Sequence, residues 1–171
     1  PYVDDSIILR AIQMSGLTLS EINLKRCGII WASGIGGIKS LQYEISDFVK
    51  GDGTPRFSPF FIPKMISDIA AGAISIRFGF RGINYSTVSA CASSSNSIAA
   101  AFEQIAWGRH DVMICGGSEA SVVDAALGGF SSMKALSERN DDPKTASRPF
   151  DKDRDGFVLG EGGAGFILEE Y

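Results

Sequence analysis

Short apolar runs alternate with helical patterns along this chain, and this alternation restricts the fold more than any other feature of the sequence. The runs CGIIWA (27–32) and DVMIC (111–115) have the length of buried strands. Apolar residues at helical spacing occupy two segments between them, at 38–49 and from Ser93 to Ala106. Strands that alternate with helices form a sheet with covered faces. The sequence therefore predicts an α/β layered fold.

Weaker patterns complete the predicted sheet and its helices. The segments YSTVS (85–89), GFVLG (156–160) and AGFILE (164–169) are rich in strand-forming residues, which raises the expected number of strands to five. Further helices are predicted over 6–15, 63–70 and 120–127. Paired glycines follow apolar runs and indicate sharp turns or close backbone approaches at 36–37, 116–117, 128–129 and 162–163.

The composition excludes several classes of protein. The 171 residues include 16 basic and 20 acidic ones, and the net charge of −4 gives no electrostatic footprint for nucleic acid. No apolar run approaches the ~18 residues that a membrane span needs. With only 3 cysteines, the chain is not a disulfide-rich secreted domain, and a cytoplasmic location is expected. The chain has one histidine, His110, so it cannot complete a mechanism that needs two imidazoles.

Cys91 is the strongest candidate for a reactive group. It lies between a β-rich run and a long helix, with small neighbours in SACASSS. The free N–H groups and the dipole of a helix N-terminus stabilise a negative charge. At such a position the pKa of a thiol is lowered, and the same N–H groups can stabilise an oxyanion. Position alone leaves open the alternative of a buried cysteine that packs as a small hydrophobe. Cys27 and Cys115 are predicted to be structural, and His110 is expected on a solvated turn.

Three local patterns resemble known ligand-binding or catalytic motifs, but the residues around each do not match the rest of the motif. The run DKDRDG (151–156) begins like an EF-hand loop, but its twelfth position is Gly162 and a strand pattern follows. The run GEGGAG (160–165) matches the dinucleotide pattern, yet a strand follows where that fingerprint requires a helix. The run GGSEA (116–120) lacks the final glycine of a serine nucleophile elbow. The sequence therefore predicts no metal and no cofactor.

The segment from Gly82 to Ile98 resembles the active-site signature of the β-ketoacyl synthases. Gly82 lies nine residues before Cys91, small or hydroxyl residues surround the cysteine, and aliphatic Ile98 lies seven residues after it. Further stretches match the same family in order: SGIGG (33–37), SPFFIPKM (58–65), SIRFGFRG (75–82), DVMICGGSEA (111–120), GGFSSMKALSERND (128–141) and ASRPFDKDRDGFVLGEGGAGFILEEY (146–171). The resemblance covers nearly the whole chain and is greatest to the elongating synthase II type of fatty-acid synthesis.

This resemblance implies a fold and a reaction. The family has the thiolase fold, in which two halves stack as α-β-α-β-α layers, and it works as a homodimer. This chain would supply mainly the N-terminal half, with a mixed five-stranded sheet. The family's cysteine takes an acyl group from acyl carrier protein as a thioester. The enzyme then condenses that group with malonyl-acyl carrier protein by a decarboxylative Claisen condensation, without a cofactor.

Matching motifs also imply roles for individual residues. Cys91 would be the acyl-accepting nucleophile, and its own N–H would form half of the oxyanion hole. Ile35 would line the acyl channel, and Phe130 would be a pocket residue near the cysteine. Two more apolar residues, Phe61 and Ile62, would approach the acyl pocket of the neighbouring subunit. Lys134 would offer positive charge to the acidic carrier protein.

Two departures from the family pattern limit what this chain is expected to do. Ile83 stands where the family usually has proline, which is expected to loosen the turn before the nucleophile. The family's two catalytic histidines and their companion lysine belong to later motifs that are absent here, and the family's opening strand is also missing. We therefore expect residues 1–171 to be an N-terminal ketosynthase domain that is incomplete at both ends and cannot catalyse condensation alone.

Two alternative functions remain open at this point. One is the ketosynthase domain of a polyketide synthase, which has the same chemistry but different partners. The other is a non-catalytic partner subunit, in which the cysteine is commonly replaced, whereas Cys91 is retained here. A thiolase is disfavoured because the motifs outside the cysteine are those of the synthases.

Overall fold

A mixed sheet forms the centre of the molecule. Within residues 5–171, which the computed structural model describes, the sheet has four strands in the order β2-β1-β3-β4. These strands are β1 (Cys27–Ala32), β2 (Asn84–Tyr85), β3 (Val112–Glu119) and β4 (Gly162–Glu169). β1 lies parallel to β2 and β3, and β4 is antiparallel to β3. The predicted α/β class is confirmed.

Helices cover both faces of this sheet. In residues 5–171 they are α1 (Asp5–Ser15), α2 (Ile38–Lys50), α3 (Phe61–Met65), α4 (Ile69–Phe78), α5 (Ser93–Ala106) and α6 (Asp124–Ser132). α1 and α4 pack on one face, against a core that includes Ile29, Trp31 and Ile114. α5 packs on the other face, against Ile30 and Met113. The result is three layers, α-β-α. In the same range, no helix combines the length and apolar character that crossing a membrane requires.

The fifth predicted strand, at 156–160, does not join the sheet. Phe157 forms an isolated bridge with Leu136, outside the named strands. The Phe157 N–H donates to Ala135 O at 2.9 Å, and Phe157 O accepts from Ser137 N–H at 3.0 Å. Gly156 has φ +149° and lies so close to this backbone that a Cβ would be 2.4 Å or slightly more from it. The backbone of Phe157 is thus hydrogen-bonded to residues 135–137 and not to a strand of the sheet. Within residues 5–171 the sheet therefore has four strands and not five.

Two predicted helices have different bounds in the structure. The helix predicted over 63–70 is split into α3 and α4, since the Met65 carbonyl accepts from Gly37 N–H at 2.9 Å and Ile66 is extended, with ψ 144°. The helix predicted over 120–127 is displaced to α6, because Val122 N–H donates to the Glu161 carboxylate at 3.0 Å instead of entering a helix. The Gly128-Gly129 pair therefore lies inside α6.

The Gly116-Gly117 pair does not end its strand, contrary to expectation, but allows β4 and α5 to lie close to β3. β3 continues to Glu119 because Gly116 pairs with Gly165 and Gly117 with Ala164 across β4. A Cβ on Gly116 would overlap Ala164 O of β4, and a Cβ on Gly117 would overlap the Ser94 hydroxyl of α5. The absence of side chains at this pair therefore allows β4 and α5 to approach β3.

Ser97 of α5 is hydrogen-bonded to the sheet next to Gly116. Its hydroxyl is fully buried, donates to Ile30 O at 2.6 Å and accepts from Gly116 N–H at 3.0 Å. One side chain thus satisfies a carbonyl of β1 and an amide of β3. The N-terminal turns of α5 are fixed relative to the ends of both strands.

The strand β2 is shorter than predicted, and a hydrogen bond to His110 fixes the residue that precedes it, Ile83. Ile83 N–H donates to His110 Nε2 at 3.0 Å, and Ile83 O accepts from Ile29 N–H at 2.7 Å. Proline, the residue expected here from the family pattern, has no N–H to donate. The turn is therefore held by His110, and His110 is a half-buried structural residue whose Nδ1 is buried.

We expect His110 to make the stability of the fold depend on pH. Burial, and next the Arg26 guanidinium, lower the pKa of His110 below its ordinary value of 6.5, while Asp111 opposes and Arg109 reinforces this shift. Below about pH 6.5 the unfolded chain binds this proton more readily than the folded one, so the free energy of unfolding falls as the pH decreases. Thermal unfolding between about pH 7 and pH 5 measures this change. In His110→Gln, whose amide oxygen can still accept from Ile83, this slope should decrease, and an unchanged slope would assign it to other groups.

Candidate active site

A cavity of about 660 Å³ opens at the carboxyl ends of β1 and β3. In open α/β sheets, ligands bind beyond this edge of the parallel strands. The cavity wall comes from five segments, the end of β1 and its loop (32–35), the turn before α5 (90–94), the end of β3 (117–121), Phe130 of α6, and the segment 157–164. Most of these residues are apolar or small, and one carboxylate, that of Glu119, is among them.

Cys91 lies in the wall of this cavity. It is the middle residue of a 3₁₀ turn, Ala90–Ala92, that leads directly into α5. The side chain is exposed, and the thiol is free. Ala90, directly before it, has φ +51°, a region that residues other than glycine seldom occupy. Such local strain is characteristic of residues that hold a functional group in a defined position. The alternative that Cys91 is buried in the core is therefore wrong.

Ser93 holds the strained turn in place. Its side chain is 3% exposed. The hydroxyl donates to Ala90 O at 2.7 Å and accepts from Ser89 N–H at 2.8 Å, so it bridges both sides of the turn. A third hydrogen bond fixes the first turn of α5, because the Thr87 hydroxyl donates to Ser93 O at 2.9 Å. Ser93 was not singled out from the sequence, although it stands in the serine run after the cysteine.

Ile35 and Phe130 lie in the wall of the same cavity as Cys91. Ile35 follows β1 in the loop 33–37 and is 43% exposed. The Phe130 ring packs edge-to-face against Phe157, with ring centroids 5.2 Å apart. Phe157 and Leu159 were missed as wall residues, because their segment was assigned to a sheet strand.

Phe61, Ile62 and Lys134 lie outside the wall of this cavity. Phe61 begins α3, and its ring stacks on Phe57 at 5.3 Å. Ile62 is 55% exposed. α3 reaches the cavity indirectly, because its Met65 carbonyl accepts from Gly37 of the loop that carries Ile35. Lys134 follows α6, is exposed, and has φ +54°.

The other two cysteines have the environments of structural residues. Cys27 is 1% exposed and Cys115 is 0% exposed. Burial, and next the charge of Asp111, raise the pKa of the Cys27 thiol. Burial raises the pKa of the Cys115 thiol to about 11. Both thiols are therefore inaccessible and protonated near neutral pH.

The family model for the N-terminal domain of β-ketoacyl synthases matches residues 7–171. This match covers nearly the whole chain. The chain belongs to the β-ketoacyl synthase family.

Curated relatives and a solved structure extend this assignment. The chain is 47% identical over 161 residues to a 3-oxoacyl-[acyl-carrier-protein] synthase 2 of Synechocystis, covering 94% of this chain and 38% of the relative. It is 42% identical to the protein of the same name from Vibrio cholerae, covering 95% of this chain and 39% of the relative. A type II PKS ketosynthase, solved with its acyl-carrier protein, superimposes with a TM-score of 0.87 at 29% identity, covering 94% of this chain and 41% of the other. The chain thus spans well under half the length of these β-ketoacyl synthases.

Alkylation should distinguish the three cysteines of this β-ketoacyl synthase domain. In the folded chain at about pH 8, we expect iodoacetamide to modify Cys91 at least about tenfold faster than Cys27 or Cys115, because only Cys91 is exposed. Peptide mass spectrometry after timed labelling gives the three rates. In denaturant the rates should become similar. Equal labelling of all three in the folded state would contradict the assignment of Cys91 as the accessible thiol.

Ser93→Ala tests the hydroxyl that holds the turn Ala90–Ala92, which carries Cys91. Losing both hydrogen bonds should lower the free energy of unfolding by about 1 kcal/mol. The relaxed turn should reduce the alkylation rate of Cys91 about fivefold, the factor that corresponds to that free energy. Ser95→Ala, on the exposed side of the same helix, is the matched control and should leave both values unchanged. A Ser93→Ala variant with the parental alkylation rate would show that Ser93 does not position Cys91.

Proposed function

We propose that this chain is the nucleophile-bearing part of a 3-oxoacyl-acyl carrier protein synthase, an acyltransferase of fatty-acid elongation. The observation that carries the proposal is the exposed Cys91 thiol, on a strained turn before α5, in the wall of a largely apolar cavity. An apolar cavity accommodates an acyl chain, and a thiolate at its wall can attack the acyl carbonyl. Residues 1–171 would then make up the N-terminal ketosynthase domain.

The first half-reaction requires groups that this chain contains. The Cys91 thiolate attacks the carbonyl carbon of an acyl thioester, and the Cys91 N–H helps to stabilise the oxyanion that forms. The carbon–sulfur bond to the carrier then breaks, and the carrier leaves as a thiolate, which takes up the proton that the Cys91 thiol released. The acyl group remains on Cys91 as a thioester, with Ile35 and Phe130 against its chain.

The second half-reaction needs groups that this chain lacks. Decarboxylation of a malonyl thioester releases CO₂ and gives an enolate. The enolate attacks the acyl carbonyl on Cys91 and forms the new carbon–carbon bond, and the bond from the acyl carbon to the Cys91 sulfur then breaks, so that Cys91 leaves as a thiolate. Two histidines assist this step in the family, and the chain has one, His110. His110 precedes β3, whereas the cavity lies beyond the other end of that strand. We therefore assign the condensation to the full-length protein.

The partners follow from the same proposal. Acyl carrier protein would deliver both thioesters, and the exposed Lys134 would contact its acidic surface. A second copy of the chain would form a homodimer over Phe61 and Ile62, where the half-exposed Ile62 is free to contact it. The three free cysteines are compatible with a cytoplasmic location.

A polyketide ketosynthase is the second candidate. It is favoured by the likeness to the type II PKS ketosynthase, which has a TM-score of 0.87. The greater sequence identity, 47% against 29%, favours fatty-acid elongation. The retained Cys91 argues against a non-catalytic partner subunit.

Acyl transfer to Cys91 tests the proposal. Incubation of the chain with a palmitoyl-loaded acyl carrier protein should add one palmitoyl group, which intact-protein mass spectrometry detects and hydroxylamine removes. Cys91→Ala should accept none, and Cys115→Ala should accept as much as the parent chain. Adding malonyl-loaded carrier protein should yield no ketoacyl product. If iodoacetamide labels Cys91 but no thioester forms, the proposed function is wrong.

A further inference from the structure

Glu119 makes several contacts at the cavity that the reaction proposed above does not use. Its Oε2 accepts from the backbone N–H of Gly34 at 2.7 Å and of Ile35 at 2.8 Å. Its Oε1 accepts from the Ser121 hydroxyl at 3.0 Å and from the Ser33 hydroxyl at 3.4 Å. One carboxylate at the end of β3 thus holds the loop that leaves β1.

The same loop is fitted tightly against the nucleophile turn. A Cβ on Gly34 would lie 3.0 Å from Glu119 Oε2 and 3.3 Å from Ala90 O, the residue before Cys91. The next two amides are also paired, Gly36 N–H with the Ser33 hydroxyl and Gly37 N–H with Met65 O. The position of the loop is therefore set by Glu119 on one side and by the turn of Cys91 on the other.

We propose that Glu119 is a positioning residue that fixes Ile35 as a wall of the acyl site and so favours the reaction of Cys91 with reagents that carry an alkyl chain. This inference rests on the proposed function, because Ile35 matters only if an acyl chain occupies the cavity. Two N–H groups that converge on one oxygen determine the path of the Gly34–Ile35 backbone. The Ile35 side chain is carried by that backbone and lies in the cavity wall with Cys91.

The hydrogen bonds, rather than the charge, carry this role. A glutamine at position 119 can present its amide oxygen to both N–H groups and its NH₂ to the hydroxyls of Ser33 and Ser121. An alanine leaves both N–H groups without an acceptor, and the loop must move to regain one. The two substitutions should therefore differ in their effect on Ile35.

The rates at which N-ethylmaleimide and N-octylmaleimide alkylate Cys91 in the 171-residue chain report on the apolar contact that the cavity wall offers, and they do not require acyl transfer. In the parent chain the octyl chain is expected to pack against Ile35, so N-octylmaleimide should react faster than N-ethylmaleimide. Glu119→Ala should lower the octyl-to-ethyl rate ratio about tenfold, as expected for lost contacts worth roughly two buried methylene groups. Glu119→Gln should keep the ratio within about twofold of the parent. An unchanged ratio in Glu119→Ala, or an equal loss in Glu119→Gln, would overturn the proposal.

Two further variants separate positioning from general destabilisation. Glu161→Ala is the matched control, because Glu161 lies within the cavity-lining segment 157–164 and accepts one backbone N–H, from Val122, but has no hydrogen bond to the loop 33–37. Its ratio should equal that of the parent. Ile35→Ala should lower the ratio as much as Glu119→Ala, and the double variant should lower it no further. If Glu119→Ala does not fold by circular dichroism, an unchanged ratio in Ile35→Ala overturns the proposal by itself.

The acyl-transfer assay distinguishes failure of this inference from failure of the proposed function. A chain that accepts palmitate on Cys91, but whose octyl-to-ethyl ratio is insensitive to Glu119→Ala, refutes the positioning role alone. A chain that shows the predicted maleimide ratios but accepts no acyl group refutes the proposed function, while the role of Glu119 in holding Ile35 stands.

Discussion

The close approach of β4 and α5 to β3 at Gly116 and Gly117 is the constraint on which the rest of the structure depends. β4 lies against Gly116 so closely that any Cβ there would overlap Ala164 O, and a Cβ on Gly117 would overlap the Ser94 hydroxyl of α5. The buried Ser97 hydroxyl then joins β1, β3 and α5 through two hydrogen bonds. Because α5 begins only two residues after Cys91, fixing this helix also fixes Cys91 relative to the ends of the strands.

Around this fixed point, the cavity is shaped by two polar side chains that bind backbone groups. Ser93 holds the carbonyl of Ala90 and the amide of Ser89, and Glu119 holds the amides of Gly34 and Ile35. Neither side chain has to contact a substrate to act. Hydrogen bonds to backbone groups in a partly buried site are costly to leave unmade, so each one restricts a loop that would otherwise be mobile. A preformed wall next to Cys91 reduces the ordering that a flexible acyl chain would impose on the protein.

The sequence was sufficient for those features that depend on local pattern. The strand at 27–32, the helix from Ser93 and the α/β class follow from periodicity, and the family from ordered motifs. Features that depend on distant contacts were not predictable in this way. GFVLG has strand composition, yet the backbone at 135–137 takes its hydrogen bonds, so the expected fifth strand is absent from the sheet of residues 5–171. Glu119 stood in a quoted motif, but its partners are about 85 positions earlier, and no local signal indicates that a carboxylate will bind their amides.

The single histidine has a structural role and lies away from the cavity that contains Cys91. His110 accepts from Ile83 N–H at the end of the sheet opposite the cavity, and burial with the nearby Arg26 lowers its pKa, which keeps the ring neutral as that hydrogen bond requires. His110 therefore holds the backbone at Ile83, just before β2. The family pattern has a proline at position 83, and proline has no N–H that needs such an acceptor. What remains at the cavity is a thiol, a strained turn and a carboxylate whose oxygens bind backbone amides and serine hydroxyls. Under the proposed function those groups would serve acyl transfer to Cys91, whereas the two histidines that the family uses in condensation are not both present among residues 1–171.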